Sequence, residues 1–416
     1  MDKTLKEVLT KEWSKQIIKE VSIRNYKSIV DMTIELGHFN VIIGPNGSGK
    51  SNILEAIAFG NAGMLNKLDN EVLINNGIRL TAPQFMVNAF QNDEESEDFN
   101  QNKEPIYKPI EISFKTDNLS VENKVKLSYS LSSKEWIDNE LNTLESILDR
   151  VIERLNLDPE QSSFKFQIKD KPLKQPLNIS REELVVMQEV LELVKFRRQN
   201  FKNFLIYSPS EVIIRNHFEI PSQVMGIHGE GLLGYLKNIG TDPSKKWLID
   251  KINEGLMDLD WFDNLKIPHN IMSNEYALEI HDRYINDSLR YFDQRSVNEG
   301  FLYLLFFLTI FNSPDTSNFF AIDNLETSFN PKLCRKLTKD LVNISMENNK
   351  QVIVTTHNPY VLDGLDLKND EIRLFVARRN IDGHTCLERI NYSPNRTIPL
   401  SELWMSGIIG GLPDNF

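Results

Sequence analysis

The chain has 416 residues, room for one large domain with an insertion or for two domains, and its 40% hydrophobic and 25% charged residues are those of an ordinary globular protein. A formal net charge of -12 argues against a protein that coats nucleic acid nonspecifically, although a local basic groove stays open. The two cysteines, Cys334 and Cys386, have no metal-ligand spacing and read as free thiols of a reducing compartment. Met1 to Glu7 lacks the apolar core of a signal peptide, and the most apolar run, Phe301 to Phe311, is too short to cross a bilayer. A cytoplasmic location away from membranes is the expectation.

After a polar leader, Ile17 to Ile34 alternates apolar and polar residues as strands do. An apolar strand, Phe39 to Ile43, then runs into Gly44-Pro45-Asn46-Gly47-Ser48-Gly49-Lys50-Ser51, a complete phosphate-binding loop with its helix starting at Ser51-Asn52. Glycines at Gly44, Gly47 and Gly49 let the backbone curl with its N–H groups inward, and the helix start adds a positive end. In such a loop Lys50 neutralises the β- and γ-phosphates, and the Ser51 hydroxyl sits on Mg²⁺. The pattern breaks into a loop near Pro83-Gln84-Phe85, and the acidic stretch Asn92 to Asp98 reads as solvated.

Strand patterns return at Ile110 to Phe114 and Lys124 to Tyr129, giving an antiparallel β lobe beside the loop. From about Asp138 to Phe204 the period becomes helical, with Leu144, Ile147, Leu148, Val151, Ile152 and Leu155 on one face, and Leu184 to Val194 on a second helix. Neither run sustains an extended coiled coil. Within Lys195 to Lys202, basic residues including Arg197 and Arg198 interleave with phenylalanines. Such a face could follow a phosphate backbone, but a helix with a solvated basic side is preferred. The domain organisation expected is 1–135 for an N-terminal ATPase lobe, 136–290 for a mainly helical insertion, and 291–416 for a C-terminal ATPase lobe.

The last third supplies the other half of a site. Phe319-Phe320-Ala321-Ile322-Asp323 is an apolar strand ending in a carboxylate, the form of a Walker B strand whose Asp orients Mg²⁺. Ser296 to Gly300 opens the apolar helix after it, where a serine and a glycine suit an anion-binding N-terminus. Gln351 to His357 is a second buried strand, and His357 at its end could reach a γ-phosphate.

This ordered set resembles the ABC-type ATPase heads of the SMC, RecF and OLD-like group, in the AAA-15/AAA-21 branch. The resemblance implies an α/β fold, a P-loop ABC/SMC-head-like ATPase with an antiparallel β lobe and a helical insertion, using ATP and Mg²⁺. It implies that Ile23-Arg24-Asn25-Tyr26-Lys27-Ser28 is the first-strand motif, so that Arg24 lies with Asn46, Ser48 and Asn52 around the nucleotide. It makes Gln84 the Q-loop candidate at the metal, Ser296 to Gly300 the signature, Thr327 to Pro331 the D-loop, and His357 the switch histidine. It further implies a homodimer or higher oligomer in which two heads sandwich ATP, Ser296 serving the partner's nucleotide.

The pattern is broken at two places, one of them Asn330-Pro331, where many relatives have His-Pro. Relatives of this kind place Glu directly after the Walker B Asp, whereas here the run reads Asp323-Asn324-Leu325-Glu326. An amide cannot take a proton from water, so Glu326 is the candidate base, and slow hydrolysis is expected if it cannot reach the water.

About sixty residues follow His357, too few for an additional nuclease domain of ordinary size. Standalone chains of this appearance resemble ATPase subunits of bacterial antiphage systems of the Septu, PARIS and AbiL types, which implies a separate nuclease or toxin effector. The alternatives are a RecF/SMC-like DNA-repair ATPase with direct DNA contact and, less favoured, a transporter ATPase.

Overall fold

The structure is a computed structural model and describes residues 17–88, 108–116, 123–138, 203–216, 225–268, 278–286, 289, 291–394 and 397–413. The acidic stretch Asn92 to Asp98, the helices expected across 139–202 and the basic patch Lys195 to Lys202 lie outside the described residues.

β1 (Ile18–Tyr26) and β2 (Ile29–Glu35) form a hairpin, and the chain then enters β3 (Phe39–Ile43) and α1 (Lys50–Met64). Short helices α2 (Asn70–Asn75) and α3 (Pro83–Met86) follow, so the segment at Gln84, expected as loop, is one helical turn started by a proline at its first position. β4 (Ile110–Thr116), β5 (Asn123–Ser130) and β6 (Glu135–Asp138) complete a five-stranded antiparallel sheet of order β2-β1-β4-β5-β6. This is the predicted β lobe. Its alternation buries Val21, Ile23, Ile112, Val125 and Leu127.

The chain returns as β7 (Ile206–Tyr207), α4 (Glu211–Asn216), α5 (Leu232–Thr241), α6 (Lys246–Leu256), and the hairpin β8 (Phe262–Lys266) and β9 (Glu279–Asp282). Then come α7 (Glu299–Asn312), β10 (Phe319–Ile322), α8 (Pro331–Glu347), β11 (Gln351–Thr355), β12 (Ile372–Arg379), β13 (Thr385–Ile390) and α9 (Leu400–Met405). The central sheet has order β13-β12-β3-β11-β10-β7; β12, β3, β11, β10 and β7 are parallel, and β13 is an antiparallel edge. β7 lies within the stretch expected to be a helical insertion, yet it pairs with β10 in the central sheet. α5 and α6 pack into the same core as α7. β7, α5 and α6 therefore belong to the same core as the central sheet.

Both faces of the central sheet are buried, as a parallel sheet requires. Val41, Ile43, Phe320, Ile322, Val352 and Val354 face α5 to α8, whereas Ile42, Ala321, Ile353 and Phe375 face α1 and the β lobe. α1 is thus held between two sheets, and its small residues allow the approach: a Cβ on Gly60 would lie 2.5 Å from Ile112 Cγ2. α7 is buried along every residue from Phe301 to Asn312, which explains its all-round apolar sequence.

Candidate nucleotide site

The loop Gly44 to Gly49 leaves the end of β3 at the carboxyl edge of the central sheet, the edge where open α/β sheets take ligands. Gly44, Gly47 and Gly49 all have positive φ, at 146°, 78° and 100°. That path is closed to most side chains. Gly49 is the N-cap of α1, which has no side-chain cap and no acidic residue in its first turn. The first N–H groups of α1 are therefore left for an anion.

Lys50 lies folded over the loop, donating to the carbonyls of Gly44 (2.8 Å) and Pro45 (3.1 Å). Burial pulls its pKa below the ordinary lysine value, against the opposing pull of Asp323 and Glu326. The Ser48 hydroxyl is buried without a partner. A buried orphan hydroxyl and a lysine resting on carbonyls fit a loop made to surround phosphate.

The carboxylate side is assembled from three strands. Asp323 follows β10, and its N–H donates to the Tyr207 carbonyl at the end of β7 (2.9 Å). The Ser51 hydroxyl donates to Asp323 Oδ2 at 3.3 Å, while the Thr355 hydroxyl at the end of β11 donates to Asp323 Oδ1. Ser51 and Asp323 thus stand together as Mg²⁺ coordination through a hydroxyl and a carboxylate would require. Among the described residues there is no group of three or more His, Cys, Asp or Glu able to hold a metal by themselves. Nucleotide oxygens and water would have to complete the coordination.

The turn after Asp323 places Asn324 at φ 60°. Asn tolerates this left-handed conformation better than Glu does, which gives a backbone reason for the residue found there. Glu326 is half-buried; its Oε1 accepts the His357 N–H at 2.8 Å and its Oε2 is buried with no partner. The His357 ring is exposed. Its pKa is drawn below the ordinary 6.5 by partial desolvation and then by the Lys50 ammonium, with Glu326 and Asp323 acting the other way. Lys50, Asp323, Glu326 and His357 therefore share one electrostatic environment.

The start of α7 differs from expectation in one respect. The N-cap is Asn298, whose side chain accepts the Phe301 N–H at 2.9 Å. Ser296 is exposed two residues earlier, its hydroxyl donating to Asp293 at 3.0 Å. Asp293 satisfies Ser296 locally, which leaves the cap to Asn298. Gly300 packs on the D-loop candidate, since a Cβ there would sit 3.2 Å from the Ser328 carbonyl. Ser328 has φ 66°, and Asn330 caps α8 by accepting the Leu333 N–H. The expected signature and D-loop thus form one continuous surface.

Four predicted positions stand apart from these contacts. Arg24, on β1, is exposed and pairs with Asp31 at 3.0 Å. Asn52 turns its amide to the Ser28 hydroxyl at 2.7 Å instead of to the loop. Gln84 is exposed on α3, and no hydrogen bond joins it to Ser51 or Asp323; Asn46 is exposed at the loop apex. Sequence reasoning missed Thr355, Asn298, Arg379 and Thr385. Arg379 donates to the Gly47 carbonyl at 2.9 Å, and Thr385 to the Ser48 carbonyl at 3.1 Å. Only the Thr355-Thr356-His357 strand end carried a readable signal.

The sequence model of the RecF/RecN/SMC N-terminal domain matches residues 17–380. The chain belongs to this family. Chromosome partition protein Smc of Methanocaldococcus jannaschii is 27% identical over 210 residues, covering 45% of this chain and 17% of that protein. The chain therefore corresponds to a small part of that relative's length. A solved SmcHead bound to the C-winged helix domain of ScpA shares 12% identity at a TM-score of 0.52, over 90% of this chain and 98% of that one. At that identity the likeness is one of fold, and the fold is the SMC-head type of P-loop ATPase. The RecF/RecN/SMC family in general binds ATP with Mg²⁺ and hydrolyses it. Among the described residues no helix is long and apolar enough to cross a membrane.

Proposed function

We propose that this chain is an ATP-gated head: it binds MgATP, closes on a second copy around it, and reopens on slow hydrolysis. The observation that carries the reading is Asp323, which joins the P-loop hydroxyl of Ser51 to the sheet through Thr355, with the orphaned Glu326 Oε2 in the same site. Lys50 leaves its loop carbonyls for the β- and γ-phosphates, and the N–H groups of Gly47 to Ser51 cradle them. Ser51 and Asp323 are the residues that would hold Mg²⁺, which would supply positive charge against the phosphate oxygens.

Glu326 is the general base in this reading, because its Oε1 is fixed on the His357 N–H and its Oε2 is left to accept from water. His357, neutral near pH 7, offers a hydrogen bond to the γ-phosphate without repelling Lys50. Asn298 and Gly300 at the start of α7 are the groups presented to the partner's nucleotide, taking the place expected of Ser296. ATP bridges two such surfaces and ADP does not, so the nucleotide state sets the assembly state.

The downstream role we favour is a sensor-scaffold that controls a separate nuclease or toxin effector, as in bacterial antiphage systems. Its support is the likeness of the motif set to those standalone ATPases. A second reading is a head that clamps DNA directly, favoured by the family match and the similarity to a chromosome partition protein. Purification with the neighbouring gene products, followed by ATPase assays with and without duplex DNA, separates them. A stoichiometric companion and DNA-independent turnover support the scaffold. Turnover raised severalfold by DNA, with no companion, overturns it in favour of the clamp.

A further inference from the structure

The P-loop is shaped from outside by the β12–β13 hairpin, more than 300 residues away in sequence. Thr385, at the start of β13, is buried; its hydroxyl donates to the Ser48 carbonyl (3.1 Å) and lies 2.7 Å from Ser28 Oγ. A threonine hydroxyl has one proton. Since that proton goes to Ser48, the Ser28 hydroxyl must donate to Thr385, and Ser28 in turn accepts from the Asn52 amide at 2.7 Å. The bonds run in one direction: Asn52 amide, Ser28 hydroxyl, Thr385 hydroxyl, Ser48 carbonyl. Chains of this polarity strengthen each member.

The consequence for the loop follows from peptide geometry. Across a trans peptide the C=O and the next N–H point in opposite directions, and there is no cis bond among the described residues. Holding the Ser48 carbonyl outward on Thr385 turns the Gly49 N–H into the hollow of the loop. Arg379, from the end of β12, holds the Gly47 carbonyl outward in the same way. Gly49 is required by this packing as well as by its φ of 100°, because a Cβ there would lie 2.0 Å from Thr385 Oγ1.

We propose that Thr385 is a positioning residue for the nucleotide: through the Ser28–Thr385–Ser48 relay it presets the amides that receive the phosphates. The inference rests on the reading of Gly44 to Ser51 as a nucleotide site. It implies that the β lobe, which carries Ser28 on the turn after β1, is wired to the phosphate loop through one hydroxyl.

Fluorescent-ATP titration and steady-state ATPase kinetics on Thr385→Val and Thr385→Ser test it. Thr385→Val should raise both the Kd for MgATP and KM about tenfold with kcat unchanged, the mark of lost uniform binding. Thr385→Ser should stay within about twofold of wild type. Ser28→Ala, which cuts the relay one bond earlier and spares the bond to Ser48, should give a smaller rise and guards against a Thr385→Val chain that fails to fold. Wild-type affinity in Thr385→Val overturns the proposal, as does a loss that Thr385→Ser shares in full. A wild-type chain that binds no nucleotide overturns the underlying reading as well.

Discussion

The Glu326 side chain accepts the His357 backbone N–H at 2.8 Å, so the residue that follows β11 by two positions fixes the carboxylate proposed above as the general base. One oxygen is anchored and the other is buried with no partner. In the proposed reaction the unpartnered oxygen is the one that would accept from water. Glu326→Gln should bind ATP with near wild-type affinity and lose at least about 100-fold in turnover, the scale of a removed general base. Single-turnover hydrolysis checks it; turnover within a few-fold of wild type would remove Glu326 from the chemistry.

Asn324 answers a different demand. At φ 60° it occupies a conformation that costs most side chains about 1 kcal/mol. Asn324→Gly should be neutral or stabilising, and Asn324→Glu should lower stability by roughly that amount, read by denaturant midpoints at constant m-value.

Asp323 is tied to Ser51 and Thr355 at once. Asp323→Asn should therefore weaken nucleotide binding in Mg²⁺ and leave binding in excess chelator almost unchanged. Equal losses under both conditions would place its contribution outside metal coordination.

The phosphate loop was legible because it is contiguous: one strand, three glycines and a lysine specify it without tertiary information. The same holds for the apolar strand ending at Asp323 and for the buried helix that became α7. What stayed illegible depends on chain crossings. Thr385 and Arg379 meet the loop only because β12 pairs beside β3, and β7 is two residues long, too short for any period to reveal. Which residue caps α7 was not legible either, for a local reason. Ser296 and Asn298 are both good cap residues, and the choice was made by Asp293, which engages the serine.

That choice has a measurable result. Asn298→Ala should cost about 1 kcal/mol of stability through the lost cap and should weaken ATP-dependent assembly. Ser296→Ala should do neither, since Ser296 is exposed and, among the described residues, its hydroxyl is bonded to Asp293 alone. Chemical denaturation and sedimentation on the two variants read both effects.

One contribution to the pH dependence near neutrality comes from His357, whose pKa is lower in the folded chain than the ordinary 6.5. Below about pH 6.5 the unfolded chain binds the proton that the folded one resists, so the contribution is complete above that value and lost as pH falls toward the folded pKa. His357→Gln should flatten the fall in stability between about pH 7 and 5. An unchanged slope would show that other groups govern it.

In the mechanism proposed above, ATP closes two copies of this head. The most direct measurement is the solution mass of the Glu326→Gln chain by light scattering, with MgATP and then with MgADP. A dimer or higher oligomer with ATP that reverts to monomer with ADP is the predicted result. The same mass with both nucleotides would show that ATP does not close the head on a second copy.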